Sequence, residues 1–269
     1  MNTAIVTGSS MGVGYELTKR LLREGWRVIT MDRSGYPVGD EVGDAAANEG
    51  RLERLKVDLG DADALHTAID QLLARAEPID VLFSNAGVST KVATSSKQGR
   101  DLNFEINTLA PYVLATRLVP LLKRGQHKTI VNVSSNAQLF VKKFQPAELV
   151  QGTAPFRALL GPYAWSKLAL SLWTKEAAAD FESAGIEIRS VCPGPNQTPM
   201  TDKMWWWTLP LRRLFFTPPS VGAGLVYDAA FGAGRGPSGV WLNKGKPRAS
   251  PFAERGAEVL ALVQRLTAR

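Results

Sequence analysis

The chain reads as an α/β protein, a doubly wound parallel sheet of about seven strands flanked by helices. Three observations predict this. Short apolar runs alternate with longer helical patterns along all 269 residues. Each apolar run ends in polar or glycine residues. The first run feeds a glycine-rich turn, Gly8-Ser9-Ser10-Met11-Gly12-Val13-Gly14, and then an amphipathic pattern carrying Leu17, Leu21 and Leu22. In open α/β sheets ligands bind at the carboxyl ends of the strands, so those polar strand ends are candidate site residues.

Ala4-Ile5-Val6-Thr7 is the first strand. Glycines after it let the backbone approach a pyrophosphate, whose charge then sits at the helix N-terminus. The spacing is TGxxxGxG rather than GxGxxG, and the strand–turn–helix context supports dinucleotide binding. Arg27 to Met31 is the second strand, ending at Asp32. A carboxylate there accepts hydrogen bonds from adenosine ribose hydroxyls and repels a 2′-phosphate. Arg33 next door would welcome that phosphate. With Met11 uncharged in the turn, the balance favours NAD over NADP.

Ser34 to Gly50 reads as loop and turn with room for a short helix. Leu52 to Val57 is the third strand, ending at Asp58-Leu59, and Asp61 N-caps a helix to Ala76. Ile79 to Phe83 runs into Ser84-Asn85-Ala86-Gly87. A long helix within Gln98–Lys123 carries Asn107 among Phe104, Ile106, Leu109 and Val113, and Pro111 suggests a local kink. Thr129 to Val133 ends at Ser134-Ser135, and Ile186 to Val191 ends at Cys192-Pro193-Gly194. Gly239 to Leu242 is a last, short strand.

Between those last two long strands, Tyr163 to Ala184 reads as a helix whose apolar positions are Leu168, Leu170, Leu172, Trp173, Ala177 and Phe181. Residues four apart share a face, which sets Tyr163 beside Lys167. A free phenol titrates near ~10; an adjacent ammonium favours the phenolate and lowers that value. The spacing can therefore make a general acid/base for an alcohol or carbonyl. Alone, a Tyr and a Lys at this spacing are more often two surface residues, and the rest of the chain decides.

Composition narrows the classes. With 45% hydrophobic and 21% charged residues the chain is an ordinary globular protein. No apolar run reaches the roughly 18 residues of a membrane span. We expect one domain over residues 1–269, no leader ahead of the first strand, and a reducing cytoplasm, given the single cysteine Cys192. No metal site is expected: the two histidines, His66 and His127, read as surface residues of a helix and a turn. The net charge of +7 is concentrated late, with ten Lys and Arg against four Asp and Glu in residues 202–269. A solvated surface explains that best; an anionic membrane is the alternative, and no nucleic-acid recognition motif is present.

The ordered set Thr7-Gly8-xxx-Gly12-x-Gly14, Asn85-Ala86-Gly87, Asn107, Ser134-Ser135, Tyr163-xxx-Lys167 and Pro193-Gly194 resembles the short-chain dehydrogenase/reductase family, in its compact one-domain, Rossmann-like branch. The resemblance covers nearly the whole length. It implies a catalytic tetrad of Asn107, Ser135, Tyr163 and Lys167. Tyr163 would exchange the substrate proton, Ser135 would orient the substrate oxygen, Lys167 would lower the Tyr pKa and hold the nicotinamide ribose, and Asn107 would hold a relay water. The cofactor residues implied are Gly8, Ser10, Met11, Gly12, Val13, Gly14, Asp32, Arg33, Asp58, Leu59, Asn85, Ala86, Gly87, Pro193, Gly194 and Thr198, with Tyr163 and Lys167 shared.

Departures from the family pattern matter as well. Ser84 replaces a frequent Asn, and Asn196 occupies a position usually apolar. An insertion of residues 136–162, with Phe140, Val141, Phe144, Leu149, Phe156 and Leu159, is similar to retinol-dehydrogenase-like and carbonyl-reductase-like members, and a lobe at about 196–220 is similar to the retinol-dehydrogenase substrate lobe. The stretch Met204 to Phe216 holds three consecutive tryptophans, which cannot all face one side of a helix or strand. A lid over a bulky apolar substrate is the first reading, a peripheral membrane contact the second and oligomer packing the third. The expected activity is NAD- or NADP-dependent interconversion of an alcohol and its ketone or aldehyde, in a homodimer or homotetramer. The alternatives are an NADPH-dependent carbonyl reductase or a catalytically idle, nucleotide-binding regulatory member.

Overall fold

The computed structural model describes residues 1–152, 159–196 and 216–268. One eight-stranded sheet runs in the order β3-β2-β1-β4-β5-β6-β7-β8. Its strands are β1 (Thr3–Thr7), β2 (Arg27–Asp32), β3 (Leu52–Lys56), β4 (Val81–Ser84), β5 (Thr129–Val133), β6 (Glu187–Cys192), β7 (Trp241–Asn243) and β8 (Lys246–Arg248). All neighbours pair in parallel except β7 and β8. The doubly wound sheet expected from the sequence is thus present.

Every residue of β1 and β5 is buried, because helices cover both faces. Alternate side chains part to opposite sides. Ala4 and Val6 join Leu17 and Leu21 of α1 (Gly12–Arg23) and Val226 of a later helix in one core. Ile5 and Ile29 join Ile69 of α3 (Ala62–Arg75), Leu114 and Trp173 in the other. A short α2 (Glu41–Asn48) lies in the segment read as loop and turn. Asp61 caps α3 as expected, accepting from the N–H groups of Asp63 and Ala64 at 3.1 and 3.2 Å.

The long helix expected within Gln98–Lys123 is broken into α4 (Leu102–Phe104), a π-helical turn Glu105–Leu109, α5 (Ala110–Arg117) and α6 (Val119–Leu122). Pro111 stands four residues after Asn107 and has no N–H to return to its carbonyl, so the α-helical ladder cannot run straight through. The expected Tyr163–Ala184 helix is α7 (Pro162–Glu176) followed by α8 (Ala178–Ser183). Two further helices, α9 (Pro219–Phe231) and α10 (Gly256–Thr267), pack on α1 and α7 respectively.

Two expectations need correcting. His66 is not a surface residue: it is 7% exposed on the inner face of α3, one turn before Ile69, with Nδ1 2.9 Å from Arg117 Nη1. His127 is exposed, as read. The sheet also has one strand more than the sequence suggests. Lys244 and Gly245 both adopt positive φ, 51° and 76°, making the two-residue hairpin that folds β8 back on β7.

Among the described residues no helix is long and apolar enough to cross a membrane. The stretch Met204 to Phe215, Phe156 and Thr198 lie outside the described residues, so the lid reading is carried forward only by Phe216.

Candidate active site

The sheet order reverses between β1 and β4, and the side chains at that switch point weld the two strand ends together. Asn85 Nδ2 donates to the carbonyls of Thr7 and Gly8 at 3.0 and 2.9 Å, and the Ala86 N–H donates to Thr7 Oγ1 at 3.0 Å. The packing leaves no room for larger residues. A Cβ on Gly14 would fall 2.1 Å from Gly8 O and 2.3 Å from Asn85 Nδ2. We expect Gly14→Ala to cost about 3 kcal/mol of stability, the upper end for overpacking. A urea midpoint unchanged from wild type would show that the turn relaxes freely.

A cavity of ≈ 540 Å³ opens along this seam. At one end it is lined by Gly8, Ser10, Met11, Gly12, Val13 and Gly14. Helix α1 begins there without a side-chain cap, and no acidic residue stands in its first turn. Its first N–H groups and positive dipole end are therefore suited to a phosphate. Asp32, Arg33, Asp58 and Leu59 line the same cavity. Asp32 is nearly buried, and both of its oxygens are engaged by Ser9: Oδ1 accepts from the N–H at 2.6 Å and Oδ2 from the hydroxyl. Burial pushes the Asp32 carboxyl above the usual range, while hydrogen bonds from Ser9, Gly8 and Ser10 pull it back. Arg33 is exposed beside it.

The cavity passes Asn85, Ala86 and Gly87 and reaches Ser135, Tyr163 and Lys167 at its other end, with Pro193 and Gly194 along the wall. Ser135 caps the 3₁₀ turn Asn136–Phe140, its Oγ accepting from the Ala137 N–H at 3.2 Å, and its hydroxyl is near enough to the Tyr163 phenol to pull that pKa down. Ser134 is turned the other way. Its hydroxyl is buried between Ser171 Oγ at 2.7 Å and the Lys167 carbonyl at 3.1 Å. Both serines line the cavity, but only the Ser134 hydroxyl is tied into α7.

Lys167 Nζ donates to the Val133 carbonyl at 2.7 Å. A Cβ on Gly87 would sit 3.3 Å from that Nζ and 3.2 Å from Asn107 Oδ1, so glycine is what lets these groups converge. Asn107 is fully buried and does not itself line the cavity. Its Oδ1 accepts from the Val88 N–H at 2.9 Å, and its Nδ2 donates to Val88 O and Ser166 Oγ, both at 2.9 Å. It thereby ties the loop after β4 to α7.

The electrostatics run against the helix-spacing expectation. Burial pushes the Tyr163 phenol up to about 12, with the Ser135 hydrogen bond opposing, and pushes the Lys167 ammonium down to about 7. In the protein alone, desolvation of both groups outweighs any pull of the amine on the phenol.

Sequence reading missed several lining residues. Ser34, Asn136 and Cys192 are polar ones, and the Asn136 N–H donates to Cys192 Sγ at 3.1 Å. Each adjoins a residue already singled out, which is the signal that could have found them. Asn196, noted as a departure, turns inward: its Nδ2 donates to the carbonyls of Pro193 and Gly194 at 3.2 and 2.9 Å. Gly222 makes room for it, since a Cβ there would fall 2.5 Å from Asn196 Oδ1.

Fold and site together define a dinucleotide-fold oxidoreductase class, and comparison with known proteins gives the family. Residues 2–147 match the short chain dehydrogenase family. Human retinol dehydrogenase 11 is 31% identical over 228 residues, 81% of this chain and 69% of that protein. Cyclopentanol dehydrogenase of Comamonas sp. (strain NCIMB 9872) is 34% identical over 203 residues, 74% of this chain and 75% of that protein. Among solved structures, 4-hydroxyisoleucine dehydrogenase complexed with NADH superposes with a TM-score of 0.69 at 21% identity, over 90% of this chain and 96% of that one, a likeness of fold. The chain belongs to the short-chain dehydrogenase family, whose members are NAD(P)-dependent oxidoreductases.

Proposed function

We propose that this protein interconverts an alcohol and its ketone or aldehyde on an apolar substrate, with Asn107, Ser135, Tyr163 and Lys167 as its tetrad. One observation carries the reading: a single cavity joins the phosphate-suited start of α1 to the Ser135–Tyr163–Lys167 group. Two similar proteins are named for retinol and cyclopentanol, both alcohols on hydrocarbon frames.

The glycine turn would hold the pyrophosphate, Asp32 or Arg33 the adenosine ribose or its phosphate, and Asp58 and Leu59 the adenine. The dinucleotide, when bound, supplies or accepts the hydride. Tyr163 moves the proton at the substrate oxygen, and Ser135 hydrogen-bonds that same oxygen. Lys167, anchored on Val133 O, places its amine beside Gly87 and Asn107, within reach of a ribose. Asn107 holds the Val88 loop and α7 in register and would order a relay water. We further propose a single domain over residues 1–269 that assembles as a homodimer or homotetramer in the cytoplasm.

A panel of alcohols and ketones, from small aromatic to long-chain, assayed with both dinucleotides, tests the reading. Turnover of none, with tight dinucleotide binding, would instead support the idle regulatory member. NAD is the favoured cofactor because Asp32 ends β2 on the cavity wall, and a carboxylate at that strand end would repel a 2′-phosphate. Asp32→Ala narrows or inverts the preference by about 1–3 kcal/mol, read as the ratio of the two Kd values by calorimetry. Because Ser9 loses its partner too, both affinities fall while the ratio moves. A wild type that already prefers NADP gives the local argument to Arg33.

A further inference from the structure

We infer that Asn136 reads a second oxygen on the substrate, so that the substrates are 1,2- or 1,3-dioxygenated alcohols and ketones on an apolar frame. The inference rests on the oxidoreductase reading, in which Ser135 and Tyr163 hold the reacting oxygen.

The substrate end of the cavity is mainly apolar, with Val88, Ala137, Phe140, Leu159, Leu160 and Phe216 around it. The polar side chains at that end are already engaged, with one exception. The Ser135 hydroxyl accepts from the Ala137 N–H and faces the Tyr163 phenol. The Cys192 thiol takes the Asn136 N–H, and the Asn196 amide folds back on the Pro193-Gly194 turn. Asn136 is the exception. Its backbone is fixed by Cys192 at the first position of the 3₁₀ turn, yet its side-chain amide makes no hydrogen bond among the described residues. An amide offers two donors and an acceptor, and an apolar wall gives them nothing. At half burial water can serve them until a ligand displaces it.

A ligand that displaces the water without replacing its hydrogen bonds leaves the amide unpaired, which is how a polar site rejects an analogue lacking one oxygen. Ser135 and Asn136 are consecutive and both line the cavity, so a ligand whose reacting oxygen is held at Ser135 can present a second oxygen to Asn136 from an adjacent or next-but-one carbon. A plain apolar alcohol satisfies Ser135 and Tyr163 and strands Asn136.

The test compares cyclohexanol with trans-1,2-cyclohexanediol and cis-1,3-cyclohexanediol as substrates of wild type, Asn136→Leu and Asn136→Ala. Leucine keeps the volume and removes the amide; alanine serves if leucine does not fold. One diol is expected to exceed cyclohexanol in kcat/KM by about 10–100-fold in wild type, chiefly through KM, and the ratio should fall to about one in the variants. A second readout needs no turnover: the thermal midpoint shift given by 2-hydroxycyclohexanone against cyclohexanone, each with reduced dinucleotide present. The hydroxyketone should shift wild type more and lose that advantage in both variants. Ratios near one in wild type, or ratios that survive in both variants, overturn the inference. If no alcohol turns over, the oxidoreductase reading fails, and the midpoint shifts still decide on Asn136.

Discussion

Tyr163→Phe should lose roughly two to four orders of magnitude in kcat and keep its affinity for the dinucleotide. The hydroxyl is the only group the substitution removes. Tyr163 is 8% exposed, packed with Ala137 and Ala164, and the ring of phenylalanine fills the same space. The phenol's position beside Ser135, at the far end of the cavity from the glycine turn, leaves the pyrophosphate and adenosine contacts in place when the hydroxyl is removed. The pH profile adds a second readout. The phenol stands at about 12 and the amine at about 7 in the protein alone. For Tyr163 to serve as a base near neutrality, Lys167 must carry its proton when the complex is formed, so that the positive charge favours phenolate. The oxidation rate in wild type should therefore titrate with an apparent pKa below the free phenol value of ~10, and that titration should vanish in the residual activity of the variant. A Tyr163→Phe protein retaining most of its kcat would remove Tyr163 from the chemistry.

The outcome for the fold shows where a sequence pattern is sufficient. β1 is a nearly continuous apolar run and is legible from composition, whereas β5 and β6 interleave Asn132, Arg189 and Ser190 and are legible from their β-branched residues. Helix α3 is legible from its Asp61 cap and its apolar period. His66 shows the limit of that reading. It is one turn from Ile69 and therefore on the inner face, but a polar residue type suggested a surface, and the partner that makes burial tolerable, Arg117, is 51 residues away. The hairpin closing β8 depends on two positive φ values, one of them at a lysine, which no alternation of apolar residues announces. The π turn at Glu105–Leu109 was half visible. Pro111 marked a disturbance, and only the helical count back to Asn107 tells that the disturbance falls on that residue.

In the site the motifs located the cavity walls and left the energetics open. Residue spacing brings Tyr163 and Lys167 to one face, and it says nothing of how deeply α7 is buried. That depth is set by β5, the Val88 loop and the 3₁₀ turn together, all distant in sequence. Hence the phenol's shift runs opposite to the spacing expectation, and the amine's shift is one that spacing does not address. The serine pair is a similar case. Alternation along an extended backbone places Ser134 and Ser135 on opposite sides, while the partners that occupy Ser134, on α7, are 33 and 37 residues away.

Lys167→Met should abolish turnover and at the same time raise stability, with a pH dependence that identifies the cause. Lys167 is 3% exposed, and its folded-state pKa of about 7 lies below the ordinary value of 10.5. Between those two values the unfolded chain binds a proton that the folded protein does not, so this group makes stability rise with pH across that window. Below the window the folded protein carries the full desolvation penalty of a buried ammonium; above it the lysine is neutral in both states and costs nothing. Methionine removes the penalty and fills similar volume, at the expense of the hydrogen bond to Val133 O, worth about 1 kcal/mol. Replacing buried ionic groups by apolar ones stabilises by about 1–4 kcal/mol, so the net gain near pH 7 should be about 1–3 kcal/mol. It should shrink steadily toward pH 10 and end there as a small loss, the hydrogen bond alone. Tyr163 acts in the opposite sense at higher pH: its raised pKa contributes stability that is complete below 10 and lost as pH rises toward 12. Urea midpoints of both proteins from pH 6 to 10 give the answer. A constant difference across that range would mean that Lys167 keeps its ordinary pKa in the folded protein. The amine would then already be charged beside the phenol, without help from any bound group.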